Sequence, residues 1–152
     1  MRVVLQRVIR ASVHVRGEMV GEIGRGLLLL LGVGADDPAG EERSLAEKVF
    51  HLRVFEDHAG KMNRSLTDVG GSVLVVPQFT LYGDVRKGRR PSWVAAAPPE
   101  VASKRVERFC RELESLGARV ERGAFREHME VELVNDGPVT LVIDASGPSG
   151  AG

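Results

Sequence analysis

Apolar residues near the start of the chain are spaced for strands. Val3, Leu5 and Val8 open one, and Ser12-Val13-His14-Val15-Arg16 alternates with period two, the pattern of a strand with one wet face. Gly17-Glu18 supplies a turn, residues 19–23 return as the hairpin partner, and Gly24-Arg25-Gly26 leads into an unbroken apolar run at 27–33 that predicts a central buried strand. After Gly34-Ala35-Asp36-Asp37-Pro38 the period changes. Leu45, Val49 and Leu52 recur at helical spacing, with Glu41, Glu42 and Glu47 on the wet side and early in the helix, where carboxylates suit its dipole. A second buried-strand run begins at Gly71 and ends in a polar cluster, Gln78 and Thr80. Pro98-Pro99-Glu100 starts a second helix with the stripe Ala102, Val106, Phe109, Leu113 and Leu116, and Gly117 ends it. Strands follow at about 119–121, 129–134 and 139–143.

No repeat or linker divides this pattern. It predicts one α+β domain over residues 1–145, a mostly antiparallel sheet curved into a partial barrel and covered by two helices. The Gly-, Pro- and Ser-rich tail, 146–152, is expected to be disordered. The 152 residues are 43% hydrophobic, enough for one real core and too few for two domains. Basic and acidic residues balance at 21 each, so any contact with a polyanion must be local. Arg2, Gln6, Arg7 and Arg10 interrupt the first apolar residues, unlike a signal peptide, and the run at 27–33 is far shorter than the roughly 20 residues that cross a bilayer. The single Cys110 allows no internal disulfide and sits on the helical stripe as a packed thiol, which fits a cytoplasmic protein.

Familiar motifs fail on their spacing. Gly32-Val33-Gly34 lacks the third glycine of a dinucleotide loop, and Gly60-Lys61-Met62-Asn63 lacks the flanks of a phosphate loop and reads as a turn. His14, His51, His58 and His128 are scattered without metal-ligand spacing, so neither a metal nor another cofactor is expected. His128 reads as a solvent-facing strand-end residue rather than a general base. The cluster Arg86-Lys87-Gly88-Arg89-Arg90, followed by Pro91-Ser92-Trp93, is either a solvated loop or a contact for an RNA backbone.

Two segments carry the chemistry. Asn135-Asp136-Gly137-Pro138-Val139-Thr140 sets Gly-Pro between apolar runs; it is an ordinary turn or, since proline cuts the trans preference to roughly 0.5–1 kcal/mol, a cis bond. Gln78-Phe79-Thr80 ends a buried strand with polar side chains. Thr80 has no Lys or His with an evident claim as its base. Gln78, Thr80 and the N–H groups around Phe79 and Thr80 read instead as donors for an ester carbonyl and its developing oxyanion.

These signatures, Gln-Phe-Thr-Leu and then Asn-x-Gly-Pro-Val-Thr, together with Gly60-Lys61-Met62-Asn63, Asp68-Val69-Gly70-Gly71 and Arg86–Ser92, resemble the D-aminoacyl-tRNA deacylase (D-tyrosyl-tRNA deacylase) family from Met1 to about Asp144. The resemblance implies a homodimer with active sites at the subunit interface. It implies hydrolysis of D-aminoacyl-tRNA, and of glycine mischarged on tRNA, with Gln78, Phe79 and Thr80 catalytic. A Gly-cisPro motif at Gly137-Pro138, inserted from the other subunit and held by Arg7, would reject L-aminoacyl-tRNA. Phe125 and Met129 match positions that line the terminal adenosine pocket. Taken alone, Arg7 also reads as a surface strand arginine, and Phe125 and Met129 as core. The chain departs from the family in two places: Pro77 stands where Ser is usual, and Arg126-Glu127-His128 where Gly-Ala-Asp is usual. The competing expectation is a non-enzymatic nucleic-acid-binding dimer using the Arg86–Arg90 loop.

Overall fold

A computed structural model describes residues 1–145; the expected disordered tail lies outside them. The first two expected strands are one, β1, from Arg2 to Val15. Its period breaks in the middle because the strand changes the core it faces. Val3 and Leu5 point into one apolar cluster, Val8, Ala11 and Val13 into another, and the register against β8 (Glu130–Asp144) slips at this changeover. β2 (Glu18–Ile23) and β3 (Gly26–Gly32) pair antiparallel with the second and first halves of β1, as the hairpin pattern predicts.

The middle of the sheet differs from the antiparallel expectation. β6 (Ser72–Pro77) lies parallel to β3, and β7 (Arg119–Arg122) parallel to β6. Parallel neighbours need a long crossover, and each has a helix in it: α1 (Glu41–His51) between β3 and β6, and α2 (Pro99–Ser115) between β6 and β7. Both helices pack on one face of the sheet, against Leu27, Leu29, Leu31, Val73 and Val75; Leu28, Leu74 and Val76 point into the second core. Burial on both faces explains the unbroken apolar runs. The sheet order is β2-β1-β3-β6-β7, with β8 on the other edge of β1. It curls nearly closed: a Cβ on Gly21 of β2 would come within 2.7 Å of the Arg122 carbonyl oxygen in β7.

Gly60 sits in a turn, as expected, its N–H donating to the Asp57 carbonyl at 3.1 Å, and this turn joins a small hairpin, β4 (Phe55–Glu56) with β5 (Met62–Arg64). Two further expectations are corrected. Glu41 and Glu42 are buried, not wet. Glu41 reaches the α-ammonium of Met1, and Glu42 accepts from Arg105 Nε at 2.7 Å. Finally, the strands at 129–134 and 139–143 are one continuous β8 that passes through Gly137-Pro138.

Candidate active site

Strands β3 and β6 run parallel and end side by side, with Leu31 opposite Pro77. The ends of parallel strands leave a crevice where the chain departs in different directions. Here it is a cleft of about 800 Å³, walled by Leu31, Val33, Pro77, Ala97 and Val106, with Phe79 and Trp93 at one side and Phe125 and Met129 at another.

Pro77 lacks an N–H, but the ladder survives because the Gln78 N–H donates to the Leu31 carbonyl at 2.8 Å. The proline ring packs into the space beside Gly123, whose missing Cβ would lie 2.8 Å from Met129 Sδ and 3.6 Å from Pro77 Cδ. After Gln78 the chain winds into a 3₁₀ turn, Phe79–Tyr82. The first N–H groups of such a turn have no partner within it, and those of Phe79 and Thr80 find no backbone acceptor elsewhere among the described residues. The Gln78 side-chain amide donates to Thr80 Oγ1, so the amide and hydroxyl are held as one unit. Phe79, more than half exposed, meets Trp93 edge-on with ring centroids 5.2 Å apart.

The turn is fixed from behind. Tyr82 Oη lies 3.3 Å from both carboxylate oxygens of Asp37, and Arg2 donates to the Leu81 carbonyl at 3.0 Å. Burial, then the Asp37 charge, hold the Tyr82 hydroxyl well above the usual tyrosine range, so it is a fixed donor and not a base. Burial likewise pushes the Cys110 thiol up to about 12, which suits a packed thiol within α2. The ionisable side chains of the cleft are Arg126, Glu127 and His128 on its rim. The arrangement can orient and polarise a carbonyl and receive a flat apolar group, but it holds no nucleophile–base pair.

Gly137, Pro138 and Arg7 are elsewhere. Between Gln6↔Thr140 and Val8↔Asn135, four residues of β8 oppose Arg7 alone and bulge out of the ladder. Arg7 is 6% exposed, not a surface strand residue. Its guanidinium donates to the Asp136 carbonyl at 3.0 Å and to the Val54 carbonyl at 2.7 Å. Asn135 Nδ2 donates to the Arg7 carbonyl at 2.8 Å. The bond between Gly137 and Pro138 is trans, since no peptide bond among the described residues is cis, and this corrects the cis expectation. The reversal is accommodated by Gly137 at φ 68°, a left-handed conformation open to glycine, so the ladder continues without isomerising the proline. Arg7 pairs with Leu27 and Pro77 with Leu31 at the opposite end of β3. Measured along the curved sheet, that offset and three strand spacings put the bulge roughly 20 Å from Pro77.

Sequence reasoning singled out four residues that line this cleft, Gln78, Phe79, Phe125 and Met129, with Thr80 held beside Gln78. It missed Trp93 as a wall of the site, although an aromatic next to Phe79 and a basic loop was a usable signal. In that loop Arg86 is taken by Asp84 at 2.7 Å, whereas Lys87, Arg89 and Arg90 stand exposed.

The site is thus a turn with free N–H donors beside an apolar cleft with aromatic walls, on the nearly closed sheet of a small single α+β domain. A family model described as D-Tyr-tRNA(Tyr) deacylase matches residues 4–144. The chain is 60% identical over 146 residues to a D-aminoacyl-tRNA deacylase of Thermomicrobium roseum, covering 96% of this chain and 95% of that one. It is 56% identical over 147 residues to one of Heliobacterium modesticaldum, covering 97% and 98%. Among solved structures, a c-Myc DNA Unwinding Element Binding Protein superposes with a TM-score of 0.88 at 40% identity, covering 95% of this chain and 98% of that one. A probable eukaryotic D-amino acid tRNA deacylase shares the fold, with a TM-score of 0.80 at 22% identity over 93% and 97%. The chain belongs to the D-Tyr-tRNA(Tyr) deacylase family and is, by that membership, a hydrolase. No helix among the described residues is long and apolar enough to cross a membrane. Nor do the described residues contain a group of three His, Cys, Asp or Glu placed to hold a metal ion.

Proposed function

We propose that the protein hydrolyses the ester joining a D-amino acid to the terminal ribose of tRNA. The observation that carries this reading is the join of the Gln78–Thr80 turn to the cleft bearing Phe125 and Met129. The terminal adenosine enters between Phe125 and Met129, and the ester carbonyl meets the N–H groups of Phe79 and Thr80. Water adds to that carbonyl, the oxyanion is held by these donors, and the ribose oxygen leaves with a proton supplied by water or the neighbouring 2′-hydroxyl. An aminoacyl ester is an activated acyl group, so positioning and an oxyanion cradle suffice without a side-chain base.

Selection against the L enantiomer needs a second copy of the chain. Because the Gly137 bulge faces Arg7, at the opposite end of β3 from Pro77 and Gln78, the reading places it in the cleft of a partner in a homodimer. There its carbonyls and Pro138 form a wall on the L side, and a D side chain points away. Glycine has no side chain to clash, so glycine mischarged on tRNA is also a substrate. Exposed Lys87, Arg89 and Arg90 contact phosphates of the acceptor end.

Incubation with D-Tyr-tRNA and L-Tyr-tRNA tests the core of this reading: ester loss is expected for the D form only. Thr80→Ala should lower kcat by about 10²-fold with no acyl-enzyme in the mass spectrum of a quenched reaction; an acyl group on Thr80 in the native protein would contradict water as the nucleophile. Gly137→Ala places a Cβ 3.3 Å from an Arg7 nitrogen at φ 68°. It should cost about 1–2 kcal/mol and change the D-to-L rate ratio; an unaltered ratio would remove Gly137 from the filter.

A second reading, nucleic-acid binding without catalysis, is favoured by the 40% identity to a protein named for binding a DNA unwinding element. The same assay separates the two, since binding without D-selective turnover supports only the second.

A further inference from the structure

The rim of the cleft next to Phe125 and Met129 has an unusual backbone. Among the described residues, Arg16 and Arg126 are the two non-glycine residues with positive φ, at 51° and 65°. Arg126 lines the cleft, whereas Arg16 lies in the turn between β1 and β2 and reaches the rim through Glu127, whose carboxylate lies 3.1 Å from the Arg16 guanidinium. A side chain in the left-handed region costs energy that glycine would not, and such strain persists where the side chain has work to do. Arg126 has no structural work here. It is exposed, and neither its side chain nor that of His128 makes a hydrogen bond or ion pair among the described residues. Glu127, the one carboxylate lining the cleft, is already occupied by Arg16. What remains is a guanidinium and an imidazole, unpartnered, on the edge of an otherwise uncharged cleft.

We propose that Arg126 and His128 form a phosphate subsite for the nucleotide linkage immediately 5′ of the terminal adenosine. The inference rests on the deacylase reading and adds a contact to it. With the base between Phe125 and Met129, its 5′-phosphate leaves the apolar cleft across the adjoining rim, where Arg126 presents a forked donor suited to two phosphate oxygens and His128 a second N–H. The pairing of Glu127 with Arg16 offsets part of the carboxylate charge that would repel the phosphate. Arg126 is thus kept in a backbone conformation that favours glycine because its side chain binds substrate.

Two substrates and one informative variant test this. Arg126→Gly relieves the strained φ, so its melting temperature should equal or exceed that of the native protein. Its KM for D-Tyr-tRNA should nevertheless rise about fivefold to tenfold at low salt, as should that of His128→Ala to a smaller extent. The slope of log KM against log salt should fall by about 0.7, the loss of one single-strand phosphate contact. With 3′-O-D-tyrosyl-adenosine, which has no 5′-phosphate, the rise in KM should be several-fold smaller. An equal rise with both substrates, or none with either, would overturn the subsite while leaving deacylation intact. If the native protein hydrolysed neither ester, the deacylase reading would fall and the subsite with it.

Discussion

Arg105→Ala should destabilise the protein by about 3–5 kcal/mol, seen as a lower denaturant midpoint, because it strands a buried carboxylate. Glu42 is 1% exposed, its Oε1 accepts from Arg105 Nε at 2.7 Å, and its Oε2 has no hydrogen-bond partner. Burial by itself would raise the Glu42 carboxyl; the Arg105 hydrogen bond, with help from the backbone, outweighs it and holds the group below the usual range. A folded-state value below the unfolded one contributes stability that is present above the unfolded value and lost as pH falls through the folded one. In Arg105→Ala the sign reverses, since burial is then unopposed and a protonated Glu42 is favoured on folding. The gap between variant and native protein should therefore narrow in acid. A gap that stays constant from neutral pH down through the carboxylate range would show that Glu42 is not the stranded charge. Replacing Glu42 by Met in the same variant should recover much of the loss, because an apolar pair of similar volume avoids desolvating either charge.

The consequence reaches the cleft. Arg105 also donates to the carbonyls of Asp37 at 2.9 Å and Pro38 at 2.7 Å. Asp37 in turn accepts from the Gly34 N–H and from Tyr82, the last residue of the turn that begins beside Gln78. The variant should lose part of kcat on D-Tyr-tRNA even at temperatures where it remains folded.

Arg7→Ala should have the second largest effect, about 3 kcal/mol of stability, since two backbone carbonyls lose a charged donor in a buried place. It should also reduce the D-to-L rate ratio more than it reduces kcat on the D substrate. The guanidinium ties the Asp136 carbonyl, inside the bulge, to the Val54 carbonyl beside β4. Arg7→Lys should rescue little, because a compact ammonium cannot reproduce the two-pronged contact. Parallel measurement of stability and enantiomer ratio decides the matter: a ratio preserved in a destabilised but folded Arg7→Ala would make Arg7 a structural residue only.

Helices and buried strands were legible because their causes are local. The α2 stripe recurs every three to four residues, and the runs in β3 and β6 are apolar throughout because both faces are covered. The continuity of β1 and β8 was not legible. Gly137 and Pro138 read as strand breakers, and they do leave the ladder, but Arg7 and Asn135 hold the bulge so that pairing resumes at Thr140. Glu41 and Glu42 read as wet because acids usually are, and nothing near them in the chain announces Arg105, 63 residues beyond Glu42.

From sequence alone came the single α+β domain, the two helices, and a buried strand ending in the polar side chains of Gln78 and Thr80 with no evident base for the hydroxyl. Tertiary structure alone decided that the centre of the sheet is parallel, that Trp93 completes the cleft, that Gly137-Pro138 is trans, and that this bulge lies at the far end from Gln78. Periodicity and turn chemistry depend on neighbours a few residues away. Strand partners, buried charges and the two ends of a sheet are chosen by contacts between distant segments, which only the packed chain brings together.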